Sequence, residues 1–507
     1  PTFLGGNLAS VKSLSQAEVS VIKGMLNLSP RPTDQKILAY FTHPDRDLNH
    51  RLIGQIRKGH WFSAIRPASE TAVHAFMLAC QFGVYPDATL FEPPAGGPSL
   101  GGHGPRYLLL DWWPVGQGLF SSGAILADNG PRFNWVYDCG TTSKDSLLAD
   151  AIASCNFRRS ALGFNRLDLA VLSHFDRDHI SGFSRLVQTS RIRMILLPYL
   201  TPLQRLVLAL QQGVSADDAE FGFYIDPVGY LRALDGGDIG EIVFVLASGP
   251  DDELPPPPIE PGPDLEGPEE PPIKFPEDTP PEGSQDELFC AQDNANVRYL
   301  KRGGTISVPF DWEFLPYNDP SMLPKATKRF QLAASKLVQD ILTVPTTRSA
   351  TLDKLKKLYD AHFGKSSKNR NIISLFLYSG PVNQSAVLLW HSSNRPLGSL
   401  AGSTRFSQMY TGDGTLGAGK QFADFEKHYR PGSRLARAGI LQVMHHGAEG
   451  NWHSGLGSLL KPEASIFSSD PDHKGYAHPH AAVLRDFWSF HPVQVDGSQG
   501  LHLLGAF

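Results

Sequence analysis

One stretch constrains this chain more than any other: Leu169-Ala170-Val171-Leu172-Ser173-His174-Phe175-Asp176-Arg177-Asp178-His179-Ile180-Ser181-Gly182. An apolar run suited to a buried strand leads straight into two histidines and two aspartates. If the segment stays extended, alternation puts His174, Asp176 and Asp178 on one side. A turn then brings His179 back towards the same point. Imidazoles and carboxylates converging at a strand end are what a hydrolytic metal site requires. The fold must therefore present a buried strand that opens onto a polar cluster.

The surrounding pattern is α/β. Strand signals fall at Tyr107–Leu110, Trp135–Tyr137, Leu167–Leu172, Arg193–Leu197 and Ile242–Leu246, and return at Ile372–Leu377, Ala386–Trp390, Gly439–Met444 and Ser465–Phe467. Helix-like stretches such as Ser146–Cys155 and Phe183–Gln188 lie between them. At 507 residues the chain has room for two to four domains, or for one large domain with insertions. With 41% apolar and 19% charged residues it is not a mostly disordered chain. It has no run of 18 apolar residues and no leader-like basic and apolar N-terminus, so no membrane association and a cytoplasmic location are expected. Four scattered cysteines without a CxxC pair fit a reducing compartment and exclude a thiolate zinc site.

Further motifs appear in a fixed order: Val115-Gly116-Gln117-Gly118, Val136-Tyr137-Asp138-Cys139-Gly140, the HFDRDH segment, Asn371 and Ser374, Tyr410-Thr411-Gly412-Asp413, Val443-Met444-His445-His446-Gly447 and Tyr476-Ala477-His478-Pro479-His480. Together they resemble the signature of the metallo-β-lactamase superfamily, in the HxDxDH form of its ComEC-like branch, named for the nuclease domain of a bacterial DNA-uptake channel. The resemblance spans about residues 107–507 apart from insertions. It implies an αββα sandwich over 106–507 and a hydrolase with two divalent ions, Zn²⁺ or Mn²⁺, with Mg²⁺ a further choice. Asp176 in place of an imidazole adds a hard oxygen donor, which favours Mn²⁺ or Mg²⁺.

Carried onto this chain, the resemblance implies that His174 and Asp176 serve one ion. Asp178 and His179 serve the second, Asp413 bridges, and one of His445 and His446 completes the second site, with His446 preferred. Asp178 doubles as a catalytic residue. Asp138 and Asn371 orient the ligands. His478 hydrogen-bonds a phosphoryl oxygen or the leaving group. The chain departs from the wider pattern in one respect. The lone histidine expected before the bridging aspartate has only His362 and His391 as candidates, and neither has the usual setting. The first ion is therefore expected to be under-liganded.

The net charge of −5 hides two opposite regions. Residues 251–287 hold 13 Asp or Glu, one lysine and 12 prolines, a charge of −12, which leaves +7 on the other 470 residues. This tract is expected to be disordered and solvated, either a passive insertion or a strap competing with a polyanion. Residues 320–370 are expected to be a basic helical insertion. Within it Lys328, Arg329, Lys336, Lys356 and Lys357 are candidates for a phosphate path. Residues 1–60 read as a small helical domain starting at the capping box Ser15-Gln16-Ala17-Glu18. Its third helix, about Leu48–Lys58, puts Leu48, Leu52 and Ile56 inward and Arg51, Arg57 and Lys58 outward. That layout suits either a DNA-contacting helix-turn-helix or a structural cap. Residues 61–105 read as a linker with one helix.

The expected function is metal-dependent phosphodiester hydrolysis, with DNA as the substrate and a metal-bound hydroxide as nucleophile. A defence or mobile-element role with a regulatory or sensor partner is one setting for it. The alternatives are hydrolysis of a small phosphodiester or ester, and a non-catalytic DNA-binding or complex-forming scaffold.

Overall fold

The computed structural model describes residues 14–42, 48, 51–59, 62–81, 106–127, 132–218, 220–247, 273–279, 296–319, 327–363, 374–382, 388–391, 405–417 and 419–506. Among these, strands form two mixed sheets. In chain order they are β1 (Arg106–Trp112), β2 (Phe120–Ala127), β3 (Arg132–Cys139), β4 (Leu167–Val171), β5 (Arg191–Pro198), β6 (Asp238–Val245), β7 (Glu277–Asp278), β8 (Val297–Leu300), β9 (Ile306–Val308), β10 (Trp312–Asn318), β11 (Leu375–Pro381), β12 (Leu388–His391), β13 (Ser407–Tyr410), β14 (Ala438–Gln442), β15 (Ala464–Ser468), β16 (Pro492–Val495) and β17 (Leu501–Ala506). The first sheet runs β12-β17-β1-β2-β3-β4-β5-β6-β8-β7, and the second β16-β15-β14-β13-β11-β10-β9. Strands β3 to β6 are parallel, as are β13 to β16 where they pair.

Alternation explains how the sheets stack. Leu108, Leu110, Trp135, Tyr137, Leu169 and Val171 of the first sheet share one core with Trp312, Phe314, Leu377, Tyr410, Ile440 and Ile466 of the second. Trp135 sets the fit, with ring centroids 6.0 Å from Trp312 and, edge-on, 5.3 Å from Phe314. The intervening residues Val136, Ala170 and Ile195 face the other way. They pack under helices Asp145–Ala161, Phe183–Thr189, Pro202–Gln212, Lys328–Thr343 and Arg348–Phe363. Strand β4 is buried on both faces, and its one charged residue, Asp168, is satisfied there by the Asn134 N–H and side-chain amide. On the far side, Phe376, Tyr378, Leu441 and Phe467 pack against helices Lys420–Tyr429, Leu456–Leu460 and Ala481–Asp486.

Among the described residues four helices precede the sheets: α1 (Gln16–Asn27), α2 (Asp34–Ala39), α3 (Arg51–Arg57) and α4 (Glu70–Gln81). The Ser15/Glu18 capping box closes the start of α1 as expected. The expectation of a separate domain followed by a linker needs correction. Val19, Ile22 and Met25 of α1, Ile53 and Ile56 of α3 and Val73 and Phe76 of α4 share one core with Tyr107, Leu109, Leu126 and Leu504 of the first sheet. Residues of the supposed linker tie directly to α1. Lys23 Nζ donates to the Phe62 and Ile65 carbonyls, and the Ala68 N–H donates to the Ser20 carbonyl. The physical reason is area: helices this short cannot bury their apolar faces among themselves, so they borrow the sheet. On α3, Ile53 is buried in addition to Ile56, and Leu52 packs against the same core partly buried.

The acidic tract is also corrected over its described part, 273–279. Ile273 and Phe275 pack against the core between the sheets. Lys274 forms a β-bridge with Ser307, next to the second sheet's edge strand, and Glu277–Asp278 pair with Leu300 and Tyr299 of the first. Two apolar side chains within the acidic run are enough to dock it. The rest of 251–287 lies outside the described residues. No helix among the described residues is long and apolar enough to cross a membrane.

Candidate metal centre

The C-terminal ends of β3, β4, β13, β14 and β15 meet between the two sheets, and the predicted ligands gather there. The Leu375 N–H donates to the Ser173 carbonyl at 2.8 Å, joining the end of β4 to the second sheet. His174, Asp178, His179 and Asp413 each offer a ligand atom within 4.8 Å of the others, a group that can hold a metal ion. His174, His179 and Asp413 are buried, as is Asp176.

Asp413 is the geometric hub. Its Oδ1 faces His179 Nε2 at 3.1 Å and His446 Nε2 at 3.4 Å, while its Oδ2 faces His445 Nε2 at 3.4 Å and His174 Nε2 at 3.6 Å. Asp178 closes one end, 3.1 Å from His446 Nε2 and 3.9 Å from His179 Nε2. Asp176 closes the other, 3.9 Å from His174 Nε2. The choice expected between His445 and His446 is not one the geometry makes, since both imidazoles reach Asp413. The doubled histidine was the signal for this, and counting one position per motif concealed it. Of the lone-histidine candidates, His362 does not join the group, and His391 is placed by its backbone alone. His362 stacks on Phe330 in the helical hairpin, centroids 4.7 Å apart, and the backbone of His391 pairs with Leu503 at the first sheet's edge.

Every imidazole is oriented from behind. His179 Nδ1 donates to Asp138 Oδ2 at 2.7 Å, His174 Nδ1 to Ser173 Oγ at 2.8 Å, and His445 Nδ1 to Asn451 Oδ1 at 2.8 Å. His446 Nδ1 donates to the Ser468 carbonyl. With all four Nδ1 atoms engaged, the Nε2 atoms are the ones turned inward, the orientation that a metal ligand needs once any Nε2 proton is displaced. The His174 Nε2 is buried and has no hydrogen-bond partner. Asp138 also accepts the Ser173 N–H and hydroxyl, each at 2.6 Å, so one carboxylate orients two histidines. Ser374 Oγ accepts the Asp413 N–H at 3.0 Å, and Gln442 Oε1 accepts the Thr411 and Gly412 N–H groups at 2.8 Å. Asn371 lies outside the described residues.

The backbone is strained where it must turn ligands inward. Asp138, His445 and His446 have φ of 56°, 45° and 56°, a left-handed region that costs non-glycine residues energy. The glycines of the VGQG and DCG turns sit under the ligand loop. A Cβ on Gly140 would stand 2.5 Å from the backbone of Asp178 and His179.

Charge is concentrated accordingly. Burial opposes protonation of His179, yet Asp413, Asp138 and Asp178 lift it well above the ordinary imidazole value. His446 is raised despite burial by Asp413 and Asp178. Burial pushes Asp176 up to about 6. Burial also acts on Asp178, but His179 and His446 hold it down at about 2. Raised groups keep their protons to higher pH, and a cation must displace them. Divalent-ion affinity should therefore rise with pH, about tenfold per unit for each proton displaced. Calorimetry of Mn²⁺ binding in buffers of different ionisation enthalpy measures this. Binding without proton release, equally tight at about pH 6 and pH 8, would contradict it.

His478 sits at the mouth, its ring 5.6 Å from His445 and 6.2 Å from His446. Burial, then the charges of His446, His445 and His480, lower it to about 3, so it works as a neutral imidazole. The candidate phosphate contacts are surface side chains. Lys328, Arg329 and Lys336 are exposed on one helix of the hairpin, and Lys356 and Lys357 on the other. Arg51, Arg57 and Lys58 are all exposed at α3, and Arg57 pairs with Asp34 at 3.2 Å. Compared with known proteins, the chain matches no family model and no curated protein.

Proposed function

We propose that the protein is a metal-dependent phosphodiesterase acting on DNA, built as a metallo-β-lactamase αββα sandwich. The observation that carries the reading is Asp413, whose two carboxylate oxygens are each faced by two imidazoles. The donor set fits divalent ions. Four Nε2 atoms point inward with their Nδ1 atoms engaged, and the buried His174 Nε2 lacks any other partner. His174, Asp176, His445 and Asp413 Oδ2 would hold one ion, and Asp178, His179, His446 and Asp413 Oδ1 the second. His445 thus supplies the donor that the missing lone histidine would have given.

Mixed nitrogen and oxygen donors suit Zn²⁺ or Mn²⁺. Such ions lower the pKa of coordinated water and neutralise phosphate oxygens. Three carboxylates against two divalent ions leave a net charge of about +1, matched to a singly charged phosphodiester. The protein's own part is orientation: Asp138 and Ser173 lock His174 and His179, and Asn451 and the Ser468 carbonyl lock His445 and His446. His478, neutral and at the mouth, can donate a hydrogen bond to a phosphoryl oxygen without carrying a competing charge. The exposed lysines and arginines of the 328–363 hairpin would follow the DNA backbone, with a steep salt dependence.

Incubation with plasmid and linear single-stranded DNA plus Mn²⁺ tests the reading. Cleavage is expected from the native protein and not from Asp178→Ala. No cleavage, or equal cleavage by both, would reject it.

A further inference from the structure

Among the described residues the exposed large apolar side chains are Phe157, Leu332, Val344, Leu459, Tyr476 and Trp488. Of these, Tyr476 stands beside the metal centre. It is 45% exposed, and its ring stacks on His473 with centroids 5.1 Å apart and planes 26° off parallel. Inward, the next ring is His478 at 5.8 Å, and beyond it His446 at 6.2 Å, nearly parallel at 17°. A ladder of rings therefore runs from solvent to one of the proposed ligands.

The ladder is built rather than loose. The His480 N–H donates to the Gly447 carbonyl at 3.0 Å, and the Glu449 N–H to His480 Nδ1 at 3.1 Å. These bonds fix the loop to the turn that carries His445 and His446. The Gly475 N–H donates to His473 Nδ1 at 3.1 Å, which orients the ring that backs Tyr476. Lys474, exposed at the tip, adds a positive charge beside the aromatic face. Burial, then Asp178, Asp176 and Asp413, raise the Tyr476 phenol, so it stays protonated and neutral while lying in the field of all three carboxylates.

We propose that Tyr476, backed by His473, is a stacking shelf for an unpaired nucleobase flanking the phosphodiester at the metal centre, which makes single-stranded DNA the preferred substrate. The proposal rests on the nuclease reading above. Any base has a π face to offer, so the shelf selects for an accessible base rather than for a sequence. Bases inside a duplex already stack on their neighbours and cannot use it without being unstacked.

The test compares native protein, Tyr476→Ala and Tyr476→Phe on a single-stranded oligodeoxynucleotide, on its duplex, and on a base-free strand of the same length, with Mn²⁺. Loss of the ring should raise KM on the single strand about 10- to 100-fold, with kcat changed far less. Tyr476→Phe should restore KM, and the gap between native protein and Tyr476→Ala should close on the base-free strand. Equal KM for native protein and Tyr476→Ala would overturn the shelf, and so would a Tyr476→Phe defect as large as that of Tyr476→Ala. If the native protein cleaves nothing, the nuclease reading fails and the shelf is judged by fluorescence anisotropy of the same strands. Weaker single-strand binding by Tyr476→Ala then supports it, and equal binding rejects it.

Discussion

Asp413→Ala is expected to strip the protein of bound divalent ion and to abolish phosphodiester hydrolysis while leaving the secondary structure intact. The carboxylate is 2% exposed and is the point where four imidazoles meet. Removing it deletes a donor from both proposed ion positions at once. It also removes the negative charge that burial has been made to tolerate there, held well below the usual carboxylate range by His445, His179 and His446. Truncating a partner behind a ligand costs roughly 10–100-fold in metal affinity or activity. Asp138→Ala should fall in that range, and Asp413→Ala should exceed it clearly. Metal content by elemental analysis, with the rate on a DNA substrate, separates the two variants. If Asp413→Ala kept native metal content, the hub assignment would be wrong.

Gly140→Ala is expected to act almost as severely with the addition of a single methyl group. Its Cβ would lie 2.5 Å from the Asp178 carbonyl carbon and from the backbone of His179, and neither neighbour is a flexible side-chain tip. Two hydrogen bonds hold the Asp178–Gly182 loop against this turn. Leu119 N–H donates to the Asp178 carbonyl at 3.1 Å, and the Gly182 N–H donates to the Cys139 carbonyl at 2.9 Å. Overpacking of this kind costs about 1–3 kcal/mol, and here the strain falls on two ligands. A lowered melting temperature together with lost Mn²⁺ binding is the expected pair of results. A variant that melts and binds Mn²⁺ like the native protein would show that the loop is looser than its geometry implies.

What could be read in advance follows from how local each feature is. The β4 strand and the ligands after it are neighbours in sequence, so apolar patterning and alternation located His174, Asp176, Asp178 and His179 together. Asp413, His445, His446 and Asp138 come from distant segments and were legible only through a resemblance between motifs. The approach of both His445 and His446 to Asp413 was hidden because it depends on the φ of two successive left-handed residues, which no residue count reveals. Asn451 and Ser468 orient His445 and His446 through a side-chain amide and a backbone carbonyl, and nothing in their sequence setting marks them. The N-terminal helices were legible as helices, down to the capping box, because capping and periodicity are local signals. Their docking on Tyr107 and Leu109 was not, because an amphipathic face does not name its partner. In the acidic tract, average composition outweighed Ile273 and Phe275, the two side chains that dock it.

That docked segment has a consequence for how the protein behaves in a crowd. Two stacked open sheets end in strands whose unmatched N–H and C=O groups invite pairing with a neighbour's strand. Residues 273–279 lie across the β8 end of one sheet and the β9 end of the other. They add only two residues to β8 and a single bridge beside β9, and they include Pro276, which has no N–H to offer. A growing ladder would meet that proline, beside a Glu277 carboxylate already held by Arg298 at 2.8 Å. The segment thus sets a short, proline-broken border at both sheet ends in place of a full strand.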